Sequence, residues 1–338
     1  MDYSTYPVHV AQDIVRLRRR LRAADMPPRH TDHNLVVGTW NIRNFGSVFP
    51  QWHENPGSPK RNLHGLALVA EVIRCFDVVA LQEVMRNTAG LRLLMRDFLG
   101  PHWGVLMSDT SGGPKGNNER LAYLYDTRRV TPSGLAGEIV LTATADGDPE
   151  EQFDRTPYLV GFRAGGEHFT LLTVHIRYGS TPADRIPELR RFARHAAREL
   201  RDRTRSGSST EEPNLIVLGD FNIDRRQGNP LFDVFVETGL WVPEALREVR
   251  TTYGAQAKHY DQIAWFREDL SMLPTGRAGK VDFAGAVFQQ LSLMQMSYRV
   301  SDHFPLWIEF NIDRSEESMA RTLGVDLAWP DPFDVVPD

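Results

Sequence analysis

Apolar positions recur along the chain with two periods. Between residues 10 and 24, Val10, Ile14, Leu17 and Leu21 share one side of a helical wheel and arginines take the other. This predicts a peripheral helix packed on the protein body with its arginines solvated. Leu66, Val69, Ile73 and Phe76 repeat at the same spacing, and that helix feeds DVVALQEV, a short apolar run ending in polar residues that fits a buried strand. Further helices are expected over residues 90–98, over a long amphipathic stretch marked by Ile186, Leu189, Ala193, Ala196 and Leu200, and over residues 230–238, where Gly239 is placed as a cap. LVVGTWNIRNFG begins as a strand and becomes a loop. RLAYLYD is a strand, as are residues 158–162, 169–174, 215–218, 262–266 and 306–310. Residues 44–62 and 108–118 turn to Pro, Gly, Ser and Asn, as long surface loops do. RDRTRSGSSTEEPN, residues 201–214, has the composition of a mobile connection. No internal repeat stands out, and no linker is long or polar enough to divide the chain.

Composition narrows the class. The 338 residues are 41% hydrophobic, ample for a large core, and a single cysteine, Cys75, rules out an intrachain disulfide framework and a cysteine metal site. Cys75 itself reads as a core residue. A formal net charge of -5 with mixed signs excludes nucleic-acid binding by bulk positive charge, although a metal can neutralise local carboxylates while scattered arginines meet phosphates. Lys60, Lys115, Lys258 and Lys280 are the only lysines, a bias towards arginine that fits genome composition. The N-terminus lacks the apolar run of a signal peptide, and no stretch approaches the roughly 20 apolar residues that span a bilayer, so cytoplasm is the default expectation.

Polar residues of one chemical kind sit at the ends of the apolar runs. Asn41 follows LVVGTW, Glu83 follows DVVALQ, His175 follows FTLLTV, Asp220 and Asn222 follow LIVLG, Asp261 opens QIAWF, and Asp302 and His303 precede FPLWIEF. Strand ends of packed sheets converge on one edge of a core. Glu83, Asp220, Asp302 and the Asn41 amide are hard oxygen donors suited to Mg²⁺, Mn²⁺ or Ca²⁺. HExxH, GxxxxGK[ST] and GxSxG are absent, which removes the motifs of zinc peptidases, P-loop NTPases and common serine hydrolases. A hard cation beside two histidines suits attack on a phosphate ester. Taken singly, each residue also fits a strand-to-turn junction, a cap or a satisfied strand-end histidine; the joint occurrence in this order carries the reading.

The segments TWNIRNFG, DVVALQEV, NNERLAYLYD, FDRTPYLVGF, TVHI, LIVLGDFN, HYDQIAWF and SYRVSDHFP span nearly all of residues 35–312. In them the chain resembles the endonuclease/exonuclease/phosphatase superfamily, and within it is most similar to the secreted deoxyribonuclease I group. The resemblance implies a four-layer α/β sandwich: two central, mainly antiparallel β-sheets packed face to face and flanked by helices. It also implies a catalytic domain over residues 35–313, with residues 1–34 as a packed helical extension and residues 314–338 as a tail.

By motif, Asn41, Glu83 and Asp302 would hold the metal, with Asp302 in the metal or phosphate network. Asp220 and Asn222 would act at the water and scissile phosphate. His303 with Asp261, and His175 with Glu119, would form imidazole–carboxylate pairs; a carboxylate on one ring nitrogen fixes the tautomer and leaves the other for water or phosphate. We expect His303 at the attacking water and His175 at the leaving oxygen, although the motifs allow the reverse. Arg120 and Arg155 would meet phosphates through their forked donors. Asn44 and Arg43 are placed to reach substrate, with Thr252 and Tyr253 as weaker candidates. The implied cofactor is Mg²⁺, or Mn²⁺ or Ca²⁺, and the substrate DNA, with a small phosphorylated metabolite or phospholipid headgroup as the alternative. A monomer without an obligate protein partner is expected. Two departures stand out: no family-type disulfide can form within the chain, and the loop over residues 45–63, with Trp52 and His53, is long.

Overall fold

The computed structural model describes residues 2–142, 147–198, 200–202, 214–253 and 256–334. One six-stranded sheet contains β1 (Asn34–Phe45), β2 (Val78–Met85), β3 (Trp103–Met107), β4 (Glu119–Asp126), β11 (Leu273–Lys280) and β12 (Leu306–Asn311), in the order β11-β12-β1-β2-β4-β3. The other contains β5 (Thr131–Glu138), β6 (Tyr158–Ala164), β7 (Glu167–His175), β8 (Leu215–Asp220), β9 (Leu240–Trp241) and β10 (Asp261–Phe266), in the order β5-β6-β7-β8-β10-β9. Each sheet has a parallel pair at its centre, β1–β2 and β7–β8, and antiparallel pairs elsewhere. The expected mixed, mainly antiparallel sandwich is what forms.

Alternation along the central strands explains the layers. Leu35 and Val37 of β1 face Phe162, Leu171 and Ile216 of the second sheet, while Val36 and Trp40 face the helix side with Leu66 and Val69. Covering both faces buries nearly every residue of β1. Polar ties cross between the sheets within the core. Gln82 Nε2 donates to Thr39 Oγ1 (3.1 Å) and Thr173 Oγ1 (2.9 Å), and the Tyr123 hydroxyl donates to the Leu171 carbonyl (2.9 Å). Outside the first sheet lie the helices Val8–Ala23 and Leu63–Ile73; outside the second lie residues 186–198 and Pro230–Val236, through Leu189, Phe192 and Phe235.

Several expectations shift in detail. The helix expected over residues 90–98 is α-helical for Ala89–Leu93 and π-helical for Leu94–Leu99, where the Gly100 N–H reaches back to the Met95 carbonyl (2.8 Å). The long helix from Ile186 likewise turns π-helical after Arg191. NIRNF continues β1 with a register shift between Asn41 and Phe45, and Arg43 and Asn44 take φ of 51° and 44°. The C-terminal tail contains a helix, Ser315–Leu323, tied to the sheet through Arg314 Nε and Glu167 Oε1 (2.6 Å). Of the expected mobile connection, residues 203–213 lie outside the described residues. No helix among the described residues is long and apolar enough to cross a membrane.

A repeat that hydrophobic periodicity passes over appears at the edges. β5 reads TPSGLAGE and β11 reads LPTGRAGK, and each pairs with its neighbour across a register shift between the proline and the alanine. The two strands occupy equivalent places, next but one to the parallel pair of their sheets. Pro and a positive-φ glycine suit bulged edge strands and hide them from an alternation search.

Candidate active site

Register places three site residues side by side. His175 ends β7 opposite Asp220, the last residue of β8, and Asp261, the first residue of β10, lies opposite Asp220 on the other flank. Gly219 makes this junction possible: its φ is 147°, and a Cβ there would lie 2.1 Å from the Val174 carbonyl oxygen. Asn222 turns the chain away at φ 53°, its N–H donating to Asp220 Oδ1 (2.9 Å) and its side-chain amide to the Ile176 carbonyl (2.7 Å).

The first sheet contributes the opposite wall. Asn41 Nδ2 donates to Glu83 Oε1 (2.9 Å) and Asp220 Oδ2 (2.9 Å), so one amide joins the two sheets. Glu83, at φ 60°, also accepts from the Asn44 N–H (2.8 Å), while Asn41 Oδ1 accepts from the Arg43 N–H (3.0 Å). Ser301 fixes the His303 loop to this wall, donating from Oγ to the Asn41 carbonyl (2.7 Å) and accepting the His303 N–H (3.0 Å).

Both expected pairs form. His303 Nδ1 lies 2.8 Å from Asp261 Oδ2, and His175 Nδ1 lies 2.8 Å from Glu119 Oε2. Their Nε2 atoms approach the same carboxylate oxygen, Asp220 Oδ2, at 3.9 Å and 3.7 Å. Burial alone would lower the His303 pKa, but the Asp261 and Asp220 carboxylates prevail and lift it to about 10. Burial, aided by Asp220, raises Asp261 against the opposing pull of His303. At His175, burial and Arg155 push downward and Glu119 with Asp220 pull further upward, so its pKa rises. Glu119 would be raised by burial, yet His175 and Arg155 hold it down at about 2.

The remaining candidates separate. Arg155 is buried, with Nε 2.7 Å from Glu119 Oε2, and therefore braces the His175 pair from behind. Arg120 is half-buried and donates to the Ser108 carbonyl (2.8 Å), with Asp109 at 3.5 Å. Asp302 stands at the rim, its side chain 41% exposed, 3.2 Å from Arg43. Thr252 bridges the backbone of His303, and Tyr253 packs its ring edge on Phe304 at the core boundary. Three supporting residues escaped the sequence reading. Buried Arg61 donates to the carbonyls of Ile42 (2.7 Å), Arg43 (3.0 Å), Arg299 (3.1 Å) and Val300 (2.7 Å), pinning the end of β1 to the chain before His303. Thr251 Oγ1 accepts the Asp261 N–H (3.2 Å), and Arg185 Nη1 donates to the Asn222 carbonyl (2.6 Å). Thr251 adjoins Thr252, a candidate already read from the sequence, and Ser301, described above, lies inside SDH, whereas Arg61 and Arg185 lie far from the motifs they support.

Asp220, Asp261 and His303 form a candidate metal cluster, one ligand atom from each lying within 4.8 Å of the others. The donors fit a hard cation. Asp261 Oδ1 supports this, being a buried acceptor without a hydrogen-bond partner. Asn41 and Glu83 adjoin the cluster through Asp220, whereas Asp302 faces Arg43. The arrangement is consistent with a metal-dependent phosphoesterase.

Residues 38–303 match the Endonuclease/Exonuclease/phosphatase family. A "Deoxyribonuclease" from Thioalkalivibrio sp. (strain K90mix) is 29% identical over 290 residues, covering 82% of this chain and 71% of the relative. Among solved structures, the mannosyl-6-phosphatase Bt3783 of Bacteroides thetaiotaomicron VPI-5482 superposes with a TM-score of 0.54 at 18% identity, over 82% of this chain and 99% of that one. D. rerio TDP2 complexed with single-strand DNA product gives 0.51 at 15% identity, over 82% and 99%. These two likenesses speak to the fold, and the match over residues 38–303 speaks to descent: the chain belongs to the endonuclease/exonuclease/phosphatase family.

Proposed function

We propose that this protein is a divalent-metal-dependent endonuclease that hydrolyses phosphodiester bonds in DNA. The observation that carries the chemistry is the convergence of two imidazole–carboxylate pairs on Asp220, with both Nε2 atoms within 3.9 Å of one oxygen. In this reading Asp261 sets the His303 tautomer so that Nε2 faces the attacking water, and Asp220 and Asn222 orient that water and the scissile phosphate. Glu119, held by Arg155, favours the charged form of His175, which would meet the leaving oxygen. Asp220 and Asp261, with Asn41 and Glu83 adjoining, would hold the cation, which would neutralise charge on the phosphoryl oxygens.

DNA as the substrate is supported by the deoxyribonuclease relative and by cationic side chains around the site. A cavity of about 640 Å³ lined by Lys115, Arg155 and Arg177 lies on the His175 side, and one of about 580 Å³ lined by Arg225, Arg250 and Lys258 lies beyond Asn222. Several of these cations are paired, Arg177 with Asp154, Arg155 with Glu119 and Lys258 with Asp224, so Lys115, Arg225 and Arg250 are the ones offered to a chain of phosphates. A second reading, a phospholipid headgroup, draws on Leu293 and Met294, which are 42% and 61% exposed on the helix that carries Ser297, a partner of Arg43.

The deciding experiment is a side-by-side assay on plasmid, single-stranded DNA, RNA, inositol phosphates and sphingomyelin with Mg²⁺, Mn²⁺ or Ca²⁺, using Asp220→Asn as background. Nicking of plasmid by the intact protein alone supports the nuclease. Selective release from inositol phosphates or sphingomyelin overturns it.

A further inference from the structure

We propose that the cavity beside Asn44 is a subsite for one nucleotide residue of a DNA strand, away from the scissile phosphate, with a phosphate at Lys60 and a base on Tyr298. This rests on the nuclease reading above. The cavity measures about 340 Å³, and Arg43, Ser47, Ser58, Lys60, Arg61 and Tyr298 line it. No carboxylate does, whereas the two flanking cavities include Asp154, Asp184 and Asp224. Of its three cations, Arg43 is balanced by Asp302 outside the lining and Arg61 is buried against carbonyls, which leaves Lys60 as the cation to complement a phosphodiester.

The cations have different work. Arg61 is spent on backbone carbonyls, and Arg43 lies 3.2 Å from Asp302 with its guanidinium 4.1 Å over the Tyr298 ring. Lys60 Nζ donates to the carbonyls of Asn55 (3.2 Å) and Pro56 (2.7 Å), and an ammonium has a third donor to offer. Tyr298 is 48% exposed, so an aromatic surface backed by a guanidinium remains open to a base.

The wall is held in place before any ligand arrives. Trp52 of the long loop packs on Tyr6 (4.9 Å between centroids) and Phe98 (6.3 Å). Asn62 Nδ2 ties the Trp52 and His53 carbonyls (3.2 and 3.0 Å), and Asn55 Nδ2 ties the Pro59 carbonyl (3.0 Å). Tyr6 precedes the family match at residues 38–303, so a segment outside that match buttresses the long loop. A preformed wall lowers the ordering cost of binding.

The test compares kcat/KM for a labelled single-stranded oligonucleotide with that for bis(p-nitrophenyl) phosphate, a diester that spans only the scissile position. Wild type, Lys60→Ala, Tyr298→Ala and Tyr298→Trp are measured. The expected result is a roughly tenfold fall in the oligonucleotide-to-diester ratio for Tyr298→Ala, carried by KM and restored by Tyr298→Trp. For Lys60→Ala the same ratio falls and the salt slope of oligonucleotide binding flattens by about one phosphate contact. Equal losses on both substrates, an unchanged ratio in the Lys60→Ala or Tyr298→Ala variant, or a Tyr298→Trp ratio as low as that of Tyr298→Ala, overturns the subsite while leaving a DNA-cleaving wild type as a nuclease. A wild type that hydrolyses the small diester but not DNA overturns the nuclease reading and the subsite together.

Discussion

Glu119 shows how neighbours set the chemistry of a side chain. Its carboxyl is drawn from the ordinary 4.5 to about 2 because His175 and Arg155 outweigh burial. A carboxylate with a depressed folded pKa stabilises the fold above its unfolded value, and that contribution is lost as pH falls through the folded value. Glu119→Gln should therefore cost roughly 3 kcal/mol at neutral pH. The gap between variant and wild type should close as pH drops from about 4.5 towards about 2. Urea unfolding of both proteins across that range checks this, and a gap that widens on acidification contradicts it. Glu119 was readable from NNERLAY by resemblance, as were His175, Asp220, Asn222, Asp261 and His303. Arg61 was not, because its role is to satisfy carbonyls of two distant segments, a relation that no local pattern records.

Elements buried on both faces were readable for a simple reason. Continuous apolar runs such as LIVL and DVVAL have no alternative to a covered strand, and β8 and β2 form there. β5 and β11 carry Pro, Gly and charge, so their strand character comes from the neighbour they pair with and not from their own pattern. The turn out of β8 makes an equally sharp demand. Gly219→Ala must accommodate both a φ of 147° and a Cβ 2.1 Å from the Val174 oxygen. A loss of roughly 3 kcal/mol or more is expected, read as a lowered Tm, together with loss of activity because Asp220 moves. A Gly219→Ala protein that melts like wild type and retains activity would show that the strand ends are not held as tightly as described.

Across the whole molecule, the sandwich brings both sheets' strand ends to one edge, and a segment outside the family match packs on the helix layer of the first sheet. The helix Val8–Ala23 precedes the family match at residues 38–303, yet it buries Val10, Ile14, Leu17 and Leu21 on the helix layer of the first sheet. Leu17→Ala should cost about 2–5 kcal/mol, since Leu17 is fully buried. Calorimetry should show one lowered transition; a separate small transition at low temperature would instead mark the helix as an independent unit. The missing disulfide is consistent with this arrangement. Cys75, the lone thiol, is half-buried against the helix layer where a core position was expected, and its desolvated surroundings still push its pKa to about 12.

The most direct test of the central claim is plasmid nicking by chelator-stripped protein as Mg²⁺ is restored, comparing wild type with Asp220→Asn. The expected result is no nicking without metal, recovery on titration for wild type, and a rate at least about 10³-fold lower for the variant at saturating Mg²⁺ while it remains folded. Nicking that survives chelation, or an Asp220→Asn protein that matches wild type, would contradict metal-dependent phosphodiester hydrolysis at this centre.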